Sequence, residues 1–478
     1  MRFLIYASLI VVTGITGCKV AQPVILPEAR TMPAAFSAAQ HDSTGIGDLT
    51  WRQFFKDPLL QQLIDTALHN NPDMQIAMQR IQTANALLLG AKNAMLPSVN
   101  AILSAGIDKY GDYTMNGVGN WDTNLSPNIS GNQKIPYPVT PDFFLGLRSN
   151  WEIDVWKKLK NKKKAALAQL AASQEGKRLL TTMLVSQVAG YYFELMALDN
   201  QHRIIRRNTT LQESALEVVK AQKEGGRATQ LAVQQMEAQL YNTQTFEYSI
   251  RREIVKAENQ LNYLLGRYAQ PVLRDSGFMQ KAIPEKAIAG LPSTLLLRRP
   301  DIREAEWQLE SAKADVAAAR AAFMPSFQIT PYAGINAFKA QLLFNGSSLT
   351  YGLLGGLTAP LFNQKQLQAN YLVSTARNKE AWYQYQKTIL NSFREVGTTI
   401  EQLNNTRQLY LLKQKQVTAL SEAVASSREL YIAGYASYLE VITAQKGVLE
   451  AELELNEAKK AQFLYWIDLY RALGGGDK

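Results

Sequence analysis

The chain has 478 residues, of which 46% are hydrophobic and 19% charged, so it can bury a large core. Its formal charge of +10 permits an anionic partner, but most cations are dispersed among Asp and Glu, and a nucleic-acid partner is not expected. The single cysteine excludes an internal disulfide. At the N-terminus, Arg2, an apolar run over 3–12 and the small residues Gly14, Thr16 and Gly17 read as a secretory signal peptide over 1–17, too short to span a bilayer stably. No later run is long and apolar enough for a transmembrane helix, so any membrane crossing must use strands.

Cys18 follows directly, and Ile15-Thr16-Gly17-Cys18 looks like a bacterial lipobox. The cysteine is then the acylated first residue of the mature chain, carrying covalent diacylglycerol and an N-acyl chain, with 18–57 as a lipidated N-terminal segment. Lys19, in place of the Asp that retains many such lipoproteins at the inner membrane, favours sorting to the outer membrane.

Proline placement then divides the chain, because proline breaks both helix interiors and central strands. None lies between Pro141 and Pro271, and none follows Pro360. Both stretches are rich in Ala, Leu, Gln, Glu and Lys and are interrupted by glycine, at Gly225-Gly226 and at Gly434, which predicts two antiparallel helical hairpins over about 158–266 and 364–474. Apolar residues recur in threes and fours, as in Val185, Val188, Tyr192, Leu195 and in Val417, Leu420, Val424, the spacing of a coiled-coil seam. A helix over 159–224 would extend roughly 100 Å. An elongated tube or rod is expected. At the head of the first hairpin, Lys157, Lys158, Lys160, Lys162, Lys163 and Lys164 form the one dense basic run, read as a solvated helix face or a rim facing lipid headgroups.

The two halves resemble each other. Asn71-Pro72-Asp73 and Leu96-Pro97-Ser98 recur as Arg299-Pro300-Asp301 and Met324-Pro325-Ser326 at one constant offset, and Gly226-Arg227-Ala228 recurs as Gly434-Tyr435-Ala436. Repeats over 58–270 and 286–476 follow. Each holds two alternating segments, at about 97–107 and 144–155, then at about 325–336 and 349–361. Val99, Ala101, Leu103, Ala105 and Ile107 share one face, as do Leu145, Leu147, Trp151 and Ile153, and likewise Phe327, Ile329, Ala333 and Ile335. One apolar and one polar face over about ten residues is the pattern of a transmembrane barrel strand. It places Arg148, Asn150, Glu152, Asp154, Gln328 and Thr330 on the water-filled side. Pro331 removes a ladder donor, so a bulge or bend is expected there. The segment over 108–143, with Tyr110, Tyr113 and Trp121, suits a long extracellular loop. Four strands cannot close a barrel, and open edges are not tolerated in hydrocarbon, so several chains must contribute to one barrel.

Leu291-Pro292, Arg298-Arg299-Pro300-Asp301-Ile302-Arg303, Ala305-Glu306 and Ala321-Ala322-Phe323-Met324-Pro325-Ser326, with Phe55-Lys56-Asp57-Pro58, Trp151-Glu152-Ile153-Asp154 and Leu473-Gly474-Gly475-Gly476, resemble the signature of the RND-associated outer-membrane lipoproteins of the TolC/NodT family. The resemblance implies an α+β membrane protein of TolC-like fold, a homotrimer whose chains each give four strands to a twelve-stranded barrel, and coiled-coil hairpins forming a periplasmic duct. It further implies an exit duct in the bacterial outer membrane, extending into the periplasm, in contact with outer-membrane lipid, a periplasmic adaptor and an inner-membrane RND pump. It also suggests a gated periplasmic aperture at Leu439, Thr443 and Lys446, which lie at i, i+4 and i+7 and share a helix face. Thr443 departs from the acidic residue usual there. Counted along the seam, Leu439, Ile442, Lys446, Leu449 and Leu453 put a lysine where an apolar residue is expected. The alternative is a periplasmic coiled-coil adaptor or scaffold lipoprotein. An enzyme is not expected: His41, His69 and His202 lack metal-ligand spacing, and neither a nucleophile elbow nor a phosphate loop is present; no cofactor beyond the acyl chains is expected.

Overall fold

A computed structural model describes residues 25–28, 33, 46–283, 295, 298–360 and 364–476, so the expected signal peptide and Cys18 lie outside the described residues. In chain order the helices are α1 (Trp51–Phe54), α2 (Pro58–Asn70), α3 (Pro72–Asn93), α4 (Met115–Leu125), α5 (Lys158–Glu224), α6 (Gln230–Leu264), α7 (Pro300–Ala321), α8 (Gln364–Ile432) and α9 (Tyr438–Ala472). Four strands, β1 (Ser98–Asp108), β2 (Thr140–Ile153), β3 (Ser326–Ala337) and β4 (Leu349–Thr358), form one antiparallel sheet in the order β1-β2-β3-β4. The chain divides into two compact units. One comprises Met1–Pro27, Thr83–Leu170 and Gln308–Trp382 and holds the sheet; the other comprises Glu28–Gln82, Ala171–Trp307 and Tyr383–Lys478.

In the second unit the sequence dictates where the helices begin. Thr50 and Gln53 form a capping box on α1, and Asp57 Oδ1 accepts from the amides of Leu59 and Leu60 at the start of α2, with Pro58 at its first position. The core joins Leu60, Ile64, Val188, Tyr192, Leu195 and Leu261, all essentially inaccessible. Phe193 stacks on Phe463 at 4.4 Å and Phe54 on Tyr470 at 3.9 Å.

The repeat visible in the sequence extends to individual hydrogen bonds. Asn71 caps α3 through Oδ1 and donates Nδ2 to the Leu264 carbonyl at the end of α6 (2.9 Å). At the equivalent place in the second half, Arg299 donates to the Ala472 carbonyl at the end of α9 (2.8 Å). The guanidinium also holds Asp301 and Glu395, each at 2.8 Å, and is almost fully buried. A neutral tie in one repeat is thus a charged three-way tie in the other.

Candidate functional site

The first candidate element is the sheet. Its register aligns the apolar residues into rows: Leu103 lies opposite Leu145, Leu145 opposite Ile335 and Ile335 opposite Leu349. Further rows join Ala101, Leu147, Ala333 and Tyr351, and Ile153, Phe327 and Leu357. These side chains are largely exposed: Leu103 is 78% accessible and Leu353 73%. A continuous exposed apolar face of this kind marks a surface that expects lipid or a partner.

The opposite face carries the polar set. Arg148 lies between Asn100 and Tyr332, Asn150 opposite Ser98, Glu152 opposite Gln328, and Thr330 opposite Leu354. Glu152 is also paired with Lys158 at 2.5 Å. Gly146 and Gly334 face each other so closely that a Cβ on Gly146 would come within 2.6 Å of the Gly334 Cα, so the pair must stay glycine. Asp154 sits differently from the alternation. It follows the last residue of β2, and its two carboxylate oxygens accept from the amides of Leu159 (2.9 Å) and Lys160 (2.7 Å), capping α5. The expected bulge at Pro331 is also absent: the β2–β3 register is the same on both sides, and pairing only lapses beside Ser149 and Asn150. Proline lacks the donor but inserts no residue.

Two indoles close the end of the sheet from which the helices depart. Trp151 Nε1 donates to the Met95 carbonyl (3.1 Å) and Trp156 Nε1 to the Pro325 carbonyl (2.8 Å). Beside Trp156, a groove of about 500 Å³ is lined by Lys313, Arg320, Met324 and Tyr371, and Leu26 of the N-terminal segment lies in it.

The second candidate element is the pair of hairpin turns. Gly226 (φ 71°) and Gly434 (φ 83°) adopt the left-handed conformation that ends a helix. The following helices are capped by Thr229, whose hydroxyl accepts from the Ala232 amide, and by the Ser437–Glu440 capping box. Around the turns, Leu216, Val219, Val233, Met236 and Leu240 form a small core, and Tyr431, Tyr438 and Ile442 of the second hairpin pack on it. Burial pushes the Tyr431 hydroxyl above the usual phenol range.

Leu439, Thr443 and Lys446 are all exposed and share one face of α9. Lys446 is not in the seam that packs within the chain. That row is Val441, Gln445, Val448 and Leu449, all buried, while Lys446 reaches Glu450 at 3.9 Å in the open. The exposed stripe is free to meet another surface.

Residues that sequence reasoning passed over include a polar centre in the second unit. Asp57 Oδ2 accepts from the Tyr192 hydroxyl (2.8 Å) and from Lys281 Nζ (2.7 Å). Burial alone would raise the Asp57 pKa, but the bonds from Lys281 and Tyr192 outweigh it and hold the carboxyl below its ordinary value. Only Asp57 stood out in the sequence, as part of Phe55-Lys56-Asp57-Pro58; its partners lie too far along the chain. Among the described residues no cluster of His, Cys, Asp and Glu has the makings of a metal site, and no helix is long and apolar enough to cross a membrane.

The profile of the family described as outer membrane efflux protein matches residues 63–267 and 291–475. The cation efflux system protein CusC of Escherichia coli strain K12 is 31% identical over 477 residues, covering 98% of this chain and 98% of CusC. The probable outer membrane lipoprotein SilC of Salmonella typhimurium is 29% identical over 467 residues, covering 97% of this chain and 96% of SilC. The crystal structure of the open state of the Neisseria gonorrhoeae MtrE outer membrane channel is similar with a TM-score of 0.82 at 25% identity, over 96% of this chain and 98% of that one.

Proposed function

The chain belongs to the outer membrane efflux protein family, a family of conduits rather than catalysts, and on that premise we propose that three copies assemble into the exit duct of a tripartite RND-type efflux pump. One observation carries the reading: an antiparallel sheet with a continuous apolar face and, among the described residues, an unpaired edge at β1 and at β4. In hydrocarbon such edges must be closed, and further copies of the same sheet close them. Three sheets of four strands make a barrel of twelve, in line with the likeness to an outer membrane channel. The polar face, with Arg148, Asn150, Glu152, Gln328 and Thr330, then lines water.

A barrel of this kind is a passive opening, and direction comes from the inner-membrane pump and the periplasmic adaptor that complete the proposed assembly. The aperture is placed at the turn of the second hairpin, where Leu439, Thr443 and Lys446 form an exposed stripe. In the resting trimer three such stripes converge, with Leu439 as the apolar ring and Lys446 bound to a neighbour's carboxylate. Thr443 offers only a hydroxyl, so Glu440 or Glu450 takes the acidic role. The anchor is the thioether-linked lipid on Cys18, supported by the name of the lipoprotein SilC.

Native mass spectrometry and planar-bilayer recording of the purified protein test the whole reading. A trimer that conducts, and that stays in membranes when Cys18→Ser removes the acyl chains, is expected. A monomer soluble without detergent after the same substitution would instead identify a scaffold.

A further inference from the structure

The channel reading gives the lysine run at the head of α5 no task, and its surroundings point to one. Lys158 and Lys162 turn towards a cavity shared with Asp315 and Arg377, and Lys158 is paired with Glu152. Lys160, Lys163 and Lys164, at i, i+3 and i+4, occupy a different face of the helix. Lys164 reaches Glu310 at 3.5 Å, and Glu310 in turn holds Lys313 at 2.7 Å. Lys313 and Arg320 line the groove in which Leu26 lies beside Trp156. Lys157, Lys160 and Lys163 have no carboxylate partner among the described residues. Glu310 therefore pairs with two of the six cations Lys157, Lys160, Lys163, Lys164, Lys313 and Arg320, and the other nearby carboxylate at the head of the helix, Asp154, is taken up by the amides of Leu159 and Lys160.

We infer that this basic face binds the phosphate headgroups of anionic phospholipids in the periplasmic leaflet of the outer membrane, as a belt beneath the barrel. The inference rests on the channel reading and adds a ligand to it. Three observations on the chain support lipid over bulk water. First, the belt begins four residues after the end of β2, where the apolar face of the sheet stops, and Lys157 to Lys164 rise only about 10 Å along the helix, comparable with a headgroup layer. Second, Trp151 and Trp156 stand at that boundary with their indole N–H groups bonded to carbonyls, the placement aromatic side chains take at a membrane interface. Third, Leu26 is eight residues from Cys18, a reach of at most about 28 Å for extended chain. An acyl anchor at Cys18 would thus be tethered within that reach of the groove. The six cations are then held at the level of lipid phosphates, where each contributes electrostatic attraction that salt weakens.

The full-length acylated protein in detergent is titrated with phosphatidylglycerol or phosphatidylcholine, and the lipids retained per trimer are counted by native mass spectrometry. The wild type is expected to retain phosphatidylglycerol over phosphatidylcholine by about tenfold or more. Combined Lys157→Gln, Lys160→Gln, Lys163→Gln and Lys164→Gln should abolish the preference. Arg at the same four positions should keep it, and Gln at the exposed Lys223, Lys256, Lys387 and Lys415 should leave it intact. An undiminished preference in the first variant, a preference insensitive to high salt, or displacement by inorganic phosphate at low millimolar concentration would each overturn the inference. Should the Gln variant fail to assemble, the Arg variant and the salt series still decide. A conducting wild-type trimer without lipid preference sinks this inference alone; absence of a conducting trimer sinks the channel reading as well.

Discussion

Truncating Arg299 tests the asymmetry between the two repeats. The side chain is 5% exposed and makes four hydrogen bonds: Nε to Asp301 (3.0 Å), Nη2 to Asp301 (2.8 Å), and Nη1 to Glu395 and to the Ala472 carbonyl (both 2.8 Å). Removing one member of a buried ion pair costs roughly 3–5 kcal/mol, because the partner is left charged and unpaired. Here the loss is moderated, since Asp301 keeps the Ile302 amide and Glu395 keeps Arg471. The orphaned Ala472 carbonyl adds to it, so about 4 kcal/mol is expected for Arg299→Ala. Asn71→Ala, at the equivalent position, loses one neutral bond to the Leu264 carbonyl and a helix cap, about 2 kcal/mol together. Hydrogen exchange followed by mass spectrometry reads the two sites separately within one molecule. Peptides from the start of α7 and the last turn of α9 should lose protection by roughly a thousandfold in Arg299→Ala, and those around α3 and the end of α6 by roughly thirtyfold in Asn71→Ala. Arg299→Lys, which keeps the charge and loses the fork, should fall between. Equal loss of protection in the two alanine variants would refute the argument that charge in this tie matters.

Four further outcomes follow from the geometry. Leu103→Arg puts a charge in the exposed apolar row and should cost about 2–4 kcal/mol of barrel assembly, whereas Gln328→Arg should assemble normally; equal trimer yields on native gels would show that the faces are misassigned. Leu439→Ser and Lys446→Ala should each raise resting conductance in planar bilayers, and unchanged conductance with intact trimers would remove the aperture from this turn. Asp57 has a depressed folded-state pKa, so its contribution to stability is present above the unfolded value of about 3.9 and is lost as pH falls through the folded one. Asp57→Asn should therefore melt below the wild type at neutral pH, with the gap closing as the pH is taken well below 4; a gap that persists there would show that ionisation plays no part. Lys459 is buried, its pKa lowered by burial; the Tyr410 and Phe463 rings lie 5.3 and 5.5 Å from its ammonium, and it has no carboxylate partner among the described residues. Lys459→Met should accordingly raise thermal stability by about 1 kcal/mol near neutral pH, less as pH rises towards the lysine range, and a loss would mean the rings or a neighbouring copy pair the charge.

The fold class was legible because its signals repeat. Alternation of period two in both halves, with the same phase, admits one facing for Leu103, Leu145, Phe327 and Ile335, and proline-free stretches broken by Gly226 and Gly434 admit hairpins. Legibility failed where a residue has a second option. Asp154 continues the polar alternation on paper, but a carboxylate just before a long helix gains more from the free amides of Leu159 and Lys160 than from another strand position. Near the tip, two adjacent rows of α9 both look apolar when counted in threes and fours; Gln445 hides the row that packs, and Leu439 advertises the row that does not. Arg299 was visible as a motif residue, while Glu395 and Ala472 lie 96 and 173 residues further along the chain, so the tie itself is a fact of tertiary structure.

The sheet also constrains how copies of the chain meet. β1 has 11 residues and β4 has 10, each with one edge lacking a partner strand among the described residues, so roughly ten backbone groups per edge would face hydrocarbon unpaired. At several kcal/mol per group this exceeds the whole stability of an ordinary domain, so the edges cannot remain open in a membrane. With four antiparallel strands, β1 and β4 run in opposite directions, so the β1 edge of one copy meets the β4 edge of the next without breaking the antiparallel alternation. An odd number of strands would force a parallel joint. The apolar residues then fix the parity of the joint: Val99, Ala101, Leu103, Ala105 and Ile107 must stay on the same side as Leu349, Tyr351, Leu353 and Leu357. A slip of one residue would turn the neighbouring copy's apolar face into the water-filled lumen. The alternation that makes each strand amphipathic is therefore also what restricts the joint between copies to every second register.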